Sequence, residues 1–213
     1  MSLIIAVYVH DGIILASDRR LTVSRKITGA DGALQDVVRH GLDSTEKTFL
    51  CPNGAGICWC GGAVAGMPMP SFVKEMIRTV IPRDCPVDKM PKLVLDYCQK
   101  APEVPDTFFY IAGYETVNGK RVSALYSVTV KTKKITRTDT SKQGAAWSGE
   151  IHTLQKLVND VGLKTGQGKY QDLPTPAISW EFFTLQEAVN FARFGIETTE
   201  NMMQFSDVTQ TVG

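Results

Sequence analysis

The chain opens with an uninterrupted apolar run, Leu3–Val9, that is rich in β-branched side chains. Such a run predicts a β-strand that is covered on both faces. Asp11-Gly12 follows, a dipeptide typical of tight hairpin turns, and Ile13–Ala16 supplies a second apolar strand. The pattern therefore predicts a buried hairpin, with Ser2 at the start of its first strand.

The rest of the pattern groups strands with strands and helices with helices. The polar, glycine-containing stretch 24–45 predicts an excursion from the core. Asn118-Gly119 predicts a type I′ turn between two strands, and Thr184 with Glu187 forms a capping-box signature. The predicted elements after the excursion are a hairpin at 47–60, helices at 71–80 and 87–100, strands at 107–114, 121–130 and 134–139, a helix at 150–161 and a last helix from 184.

Segregated strands and helices favour an α+β fold over alternating βαβ units. Two sheets of nearly fully apolar strands need cover on both faces, and two pairs of helices provide it. The pattern therefore predicts a four-layer αββα sandwich, in which two antiparallel sheets lie between two layers of helices. A chain of 213 residues is long enough to bury a large core, and we expect a single domain, 1–213.

Composition narrows the classes of partner. Hydrophobic residues make up 43% of the chain, charged residues 21%, and the net charge is +1. This balance argues against nucleic acid or a membrane surface as a partner. The five cysteines are an odd number, and no basic segment precedes the first apolar run. Free thiols in the reducing cytoplasm are the expectation, and no apolar run is long enough to span a membrane.

The order of several short motifs resembles a known family. Ile13 to Arg20 is similar to the second strand of proteasome β-subunits and of the bacterial proteasome-like ATP-dependent peptidases, which are N-terminal-nucleophile (Ntn) hydrolases. In that family an aspartate closes this strand sixteen residues after the nucleophile, and here Asp18 stands at that distance from Ser2. Lys47, followed by a hairpin that ends at Gly61-Gly62, matches the family in order and spacing.

The resemblance implies a catalytic set of Ser2, Asp18, Lys47, Gly61 and Ser148. A hydroxyl at the first position attacks while the free α-amine, with an ordinary pKa of about 7.7–8.0, takes its proton. A buried lysine beside the hydroxyl requires a carboxylate partner to stay charged. By the same resemblance, a backbone N–H at the Gly61-Gly62 turn would bind the oxyanion. Ser148 would support the amine, because it lies in a turn that loosely matches the family's Gly-Ser-Gly-like turn.

The resemblance also implies that Arg20, Trp59, Gly62 and Ala63 bind substrate. A tryptophan at the base of the primary pocket predicts a preference for small residues before the scissile bond. The implied partners are an unfolded polypeptide or peptide substrate, further copies of the chain in a ring, and an ATP-dependent unfoldase. Because Cys58 and Cys60 lack partners at zinc spacing, the sequence predicts core packing for them and neither a metal nor a cofactor.

Four departures from the family pattern leave alternatives open. Serine replaces the usual threonine, Met1 precedes it, the segment between Asp18 and Lys47 is longer, and the chain ends at Gly213 where the family continues into closing strands, so a further tail is expected. The alternatives are a catalytically inactive structural subunit of proteasome type, an Ntn amidase acting on a small amide, and an α+β binding domain of unrelated fold. In the last case Ser2 is only a terminal residue and Lys47 a solvated one.

Overall fold

The three-dimensional structure is a computed structural model that describes residues 2–28, 34–40, 43–62, 64, 67–166, 168–173, 176–206 and 211–213. Within these ranges the chain forms antiparallel sheets and four α-helices, which confirms the predicted α+β class. The strands are β1 (Leu3–Val9), β2 (Gly12–Ser17), β3 (Thr22–Thr28), β4 (Leu34–His40), β5 (Thr48–Leu50), β6 (Gly56–Gly61), β7 (Thr107–Val117), β8 (Lys120–Thr129), β9 (Lys134–Thr138), β10 (Gly144–Gly149), β11 (Val161–Lys164) and β12 (Tyr170–Leu173).

Two sheets carry most of the described strands. One has the order β10-β1-β2 and the other the order β5-β6-β7-β8-β9, while β3-β4 and β11-β12 are separate two-stranded ribbons. The opening hairpin forms as predicted, since β1 pairs with β2 from Ile4↔Ser17 to Val9↔Gly12. The other edge of β1 pairs with β10 from Leu3↔Gly149 to Tyr8↔Gly144. The first strand is therefore the central strand of its sheet.

Burial of β1 on both faces follows from its alternating contacts. Leu3, Ile5 and Val7 are fully buried in a cluster with side chains of the two C-terminal helices. Ile4 and Ala6 point the other way, into a cluster that includes β6, β7 and β8 of the larger sheet. The continuous apolar run, rather than an alternating one, is thus explained by cover on both sides.

The four helices are α1 (Met69–Val80), α2 (Met90–Cys98), α3 (His152–Val158) and α4 (Leu185–Gln204). A third hydrophobic cluster joins α1 and α2 to the outer face of the five-stranded sheet. The capping box at α4 is confirmed, because the Thr184 hydroxyl accepts from the Glu187 backbone N–H while the Glu187 carboxylate accepts from the Thr184 N–H.

The structure contains strands that the sequence pattern did not predict, and one predicted helix boundary was wrong. The excursion at 24–45 contains the hairpin β3–β4, whose β-branched residues are dispersed among charges and give a weak strand pattern. The stretch before the third helix is the strand β10, built of small residues and held by its pairing with β1. The third helix ends at Val158 rather than Val161, because Asn159 adopts an extended conformation (φ −109°, ψ 155°).

The type I′ turn is supported by positive φ angles at both Asn118 (51°) and Gly119 (74°). All five cysteines lie in the described ranges, are buried and carry free thiols. Among the helices that the structure describes, none combines the length and the apolar character that crossing a bilayer requires.

Gly149 gives a test of how tightly β10 holds the start of β1. Its φ is +98°, and a Cβ there would lie 1.7 Å from the Ser2 carbonyl oxygen. We expect Gly149→Ala to lower the free energy of unfolding in urea by at least about 3 kcal/mol. The loss would come from backbone strain at residue 149 and from weaker hydrogen bonding between β1 and β10.

The matched control is Gly119→Ala, which has a similarly positive φ but nothing within 4 Å of the added Cβ. Strain alone should cost about 1–2 kcal/mol there. Equal losses of stability in the two variants would show that the clash at Ser2 does not matter.

Candidate active site

The structure brings Ser2, Asp18 and Lys47 together in the interior. The Lys47 Nζ donates to the Ser2 Oγ at 2.8 Å and to the Asp18 Oδ2 at 2.8 Å. The side chains of Lys47 and Asp18 are both 0% exposed, and Ser2 is 7% exposed. The Ser2 hydroxyl, the Lys47 ammonium and the Asp18 carboxylate thus form one continuous, buried hydrogen-bond network.

Asp18 is positioned by the backbone of the opening hairpin. It follows β2 directly, and its N–H donates to the Leu3 carbonyl at 3.1 Å. Its carboxylate accepts from the Leu3 N–H at 3.0 Å and from the Arg20 N–H at 3.1 Å. The carboxylate therefore ties the start of β1 to the end of β2 as well as pairing with Lys47.

Lys47 stands just before β5, where its carbonyl accepts from the Trp59 N–H of β6 at 3.1 Å. Its Nζ also donates to the Arg20 carbonyl at 2.6 Å, in addition to its bonds with Ser2 and Asp18. Three acceptors from two segments, the start of β1 and the stretch after β2, hold the ammonium, so its position is defined by tertiary structure.

Burial dominates the electrostatics of the pair. It raises the pKa of the Asp18 carboxyl above its ordinary value, against the opposing effects of Lys47 and of the Leu3 and Arg20 N–H groups. It lowers the pKa of the Lys47 ammonium, against the attraction of Asp18. Both shifts favour the neutral forms, because removal of the two charges from water is costly.

The end of β6 and the turn after it carry two backbone N–H groups, those of Gly61 and Gly62. The Gly62 N–H donates to the Asp106 carbonyl at 2.7 Å, on the β7 side of the strand. Since N–H groups alternate along a strand, the Gly61 N–H points to the opposite side, where the Trp59 N–H meets Lys47. Gly61 has φ +110°, and a Cβ there would lie 2.4 Å from the Asp106 carbonyl, so only glycine fits.

Ser148 and Cys60 lie on the other side of Ser2. The Ser148 hydroxyl hydrogen-bonds the Cys60 thiol, whose pKa is raised to about 11, mainly by burial. Cys60 packs in the inter-sheet cluster together with Cys58, as predicted, but it also borders the cavity beside Ser2. Sequence reasoning missed this second role, because an alternating strand pattern does not show which end of a strand meets the N-terminus.

The residues predicted to bind substrate lie in different surroundings. The Arg20 guanidinium bonds to Asp43 at 2.7 and 3.0 Å and to the Val212 carbonyl at 3.1 Å. Trp59 is buried on the α1 side of the larger sheet, and its Nε1 has no hydrogen-bond partner among the described residues. Gly62 is in the turn, with its carbonyl accepting from the Thr107 hydroxyl at 2.8 Å. Ala63 lies outside the described residues. For all four, substrate binding stays a prediction.

A cavity of about 210 Å³ opens beside Ser2. Its walls include residues from the ends of four strands: Cys60, Gly61, Thr107, Phe108, Thr129 and Ser148. Most of the wall is apolar, and Asp106 and Gly149 complete the lining. The buried, hydrogen-bonded side chains of Ser2, Lys47 and Asp18 are thus adjacent to an open cavity.

No family model matches the chain, and no curated protein shows a significant sequence match. Among solved structures, the chain is similar to Anbu from Hyphomicrobium sp. strain MC1, with a TM-score of 0.58 and 12% sequence identity. The superposition covers 99% of this chain and 78% of that one.

The likeness extends over nearly the whole chain and, at this sequence identity, shows that the two chains share a fold.

The charge balance of the site predicts a specific pattern of stability changes. Lys47→Met leaves Asp18 buried without its cation, and we expect a loss of about 3–5 kcal/mol in the free energy of urea unfolding. The double variant with Asp18→Asn removes both charges and keeps an oxygen for the Leu3 N–H. It should recover part of that loss.

Lys92→Met serves as the control, since Lys92 is exposed and pairs with Asp96 on the surface of α2. Its loss should stay below about 1 kcal/mol. Losses from Lys47→Met and Asp18→Asn that simply add in the double variant would contradict a coupled pair.

Proposed function

We propose that this protein is a peptidase of the N-terminal-nucleophile type, with Ser2 as the nucleophile. The observation that carries the proposal is the position of the Lys47 ammonium, 2.8 Å from both the Ser2 hydroxyl and the Asp18 carboxylate in a buried site. A lysine is rarely buried without a function or a partner, and here its second partner is a hydroxyl at the start of the chain.

In the proposed reaction the Ser2 Oγ attacks the carbonyl carbon of a peptide bond. The α-amine of Ser2 takes the hydroxyl proton, and the Lys47 ammonium stabilises the developing alkoxide. The Gly61 N–H donates to the oxyanion. The C–N bond then breaks, the leaving amine receives the proton from the α-ammonium, and a water molecule hydrolyses the resulting ester with the same amine as base.

The proposal includes the four-layer Ntn-hydrolase sandwich. Its support is the set of three hydrophobic clusters, which join α1 and α2 to the larger sheet, the two sheets to each other, and the smaller sheet to α3 and α4. We further propose a cytoplasmic location, which the five free, buried cysteines support.

The mechanism requires a free α-amine on Ser2, so the proposed active form has lost Met1. A serine hydroxyl serves the same chemistry as the threonine of the family that the sequence resembles, because both are activated by an adjacent base. Ser148, which lines the cavity beside Ser2, is the proposed support for the amine.

An adduct map tests nucleophile and activity together. We expect native protein treated with a tripeptide vinyl sulfone to carry one adduct on Ser2, because the hydroxyl beside Lys47 is the activated nucleophile. Intact-mass and fragment mass spectrometry should show the modified chain beginning at Ser2.

Ser2→Ala is the control, since it removes only the hydroxyl that accepts from Lys47. It should form no adduct and hydrolyse no fluorogenic peptide. A native chain that begins at Ser2 and stays unmodified and inactive would favour a structural subunit, while turnover of small amides but not peptides would favour an amidase.

We also propose that the chain assembles into a ring that admits unfolded polypeptides, with an ATP-dependent unfoldase as a further partner. Exposed apolar side chains support self-association. Phe194 is 47% exposed on α4, and Phe205, which follows the last residue of that helix, is 86% exposed. The two residues are eleven positions apart, about three helical turns, so both lie on the same side of the helix.

Light scattering coupled to size exclusion tests the assembly. We expect a mass several times that of the 23.4 kDa chain. Phe194→Glu combined with Phe205→Glu should shift the mass toward the single chain, because two charges replace the apolar contact. Wild-type protein that elutes at the mass of one chain would refute the ring.

A further inference from the structure

The Arg20 carbonyl, which accepts from the Lys47 ammonium, lies outside regular secondary structure. Residues 18–21 connect β2 to β3 and belong to neither a helix nor a strand. The bond from the Lys47 Nζ to this carbonyl is 2.6 Å long, compared with 2.8 Å for the bonds to Ser2 and Asp18. Because no strand ladder fixes the carbonyl, its position depends on whatever holds the rest of Arg20.

The Arg20 side chain is anchored at two places. Its Nε and Nη2 donate to the two carboxylate oxygens of Asp43 at 2.7 and 3.0 Å, and its Nη1 donates to the Val212 carbonyl at 3.1 Å. The Arg20 side chain is 12% exposed and that of Asp43 is 57% exposed. Exposed ion pairs usually contribute little, but a bidentate pair on a largely buried guanidinium fixes its direction as well as its distance.

The backbone of the preceding residue is held by the same two segments. The Arg19 N–H donates to the Gly213 carbonyl at 2.6 Å, and the Arg19 carbonyl accepts from the Thr45 N–H at 2.9 Å. The guanidinium of Arg20 packs so closely on Gly213 that an added Cβ would clash with it. Residues 43–45 and 211–213 therefore hold this connection from one side, while Lys47 holds it from the other.

We propose that Asp43 is a positioning residue for the reaction of Ser2. Through the Arg20 guanidinium, Asp43 keeps the Arg20 carbonyl where it accepts from Lys47, and so keeps the ammonium directed at the Ser2 hydroxyl. The inference rests on the proposed peptidase function and extends it to a residue outside the catalytic set that the resemblance implies. Asp43 belongs to the segment by which this chain is longer than the family pattern.

The expected effect of losing Asp43 follows from the three donors of an ammonium. If the Arg20 carbonyl moves, one N–H of Lys47 loses its acceptor in a site where the side chain is 0% exposed. The ammonium is then less well oriented toward the alkoxide that develops on Ser2. Contacts to the bound substrate are unchanged, so the loss belongs to the transition state and reduces kcat rather than raising KM.

Hydrolysis of a fluorogenic peptide by protein that begins at Ser2 tests this role. We expect Asp43→Ala to lower kcat about tenfold and to leave KM within about twofold of the wild-type value. Asp43→Glu keeps a carboxylate for the guanidinium and should return kcat to within about threefold of wild type. A raised KM with unchanged kcat, or an Asp43→Glu variant as slow as Asp43→Ala, would overturn the positioning role.

A double-variant cycle shows whether Asp43 acts through Arg20. Arg20→Met removes the guanidinium and keeps the backbone carbonyl that accepts from Lys47. Once the guanidinium is absent, adding Asp43→Ala should lower kcat by less than about twofold more. Losses that multiply in the double variant would show that Asp43 acts independently of Arg20 and would overturn the inference.

Asp96→Ala is the matched control, because Asp96 is also a partly exposed carboxylate in an ion pair, with Lys92 on α2. It should keep the wild-type kcat, and a tenfold loss there would overturn a specific role for Asp43. Wild-type protein that begins at Ser2 and cleaves no peptide would overturn the proposed function, and this role with it. Turnover that Asp43→Ala leaves unchanged would overturn the positioning role alone.

Discussion

The arrangement of the candidate active site depends on one interaction: the buried ammonium of Lys47, held by the Ser2 hydroxyl, the Asp18 carboxylate and the Arg20 carbonyl. Such a charge is costly to bury, and burial opposes the charged form of both partners, raising the pKa of Asp18 and lowering the pKa of Lys47. A buried ion pair adds little net stability compared with apolar residues of the same size. In the proposed reaction the pair contributes to the chemistry of Ser2 rather than to net stability.

That interaction in turn requires the central position of β1. The strand is paired on both edges and packed on both faces, so Ser2 has a fixed location relative to Asp18 on one neighbour and to Ser148 on the other. The Ser2 carbonyl accepts from the Glu150 N–H at 2.9 Å, which anchors the residue from the β10 side. Backbone pairing thus sets the geometry that the side chains use.

Much of this could be predicted from the sequence. Uniform apolar runs such as Leu3–Val9 indicate strands covered on both faces, and the spacing of Asp18 and Lys47 matched a family pattern, so the fold class and the meeting of these residues with Ser2 were foreseen. The strand β10 was not, because Gly144 to Gly149 has small side chains whose conformation is decided by the partner strand. The place of Cys60 at the cavity was missed for the same reason, since it depends on which strand ends converge.

The coordination of Lys47 has a consequence for the proposed reaction. An ammonium has three N–H donors, and all three are already taken by acceptors within the chain. In the proposed reaction a bound peptide would therefore find no vacant donor on the Lys47 ammonium and would gain no direct contact from it. Electrostatic assistance would reach the peptide only through the Ser2 oxygen, so different groups would govern substrate affinity and the activation of Ser2.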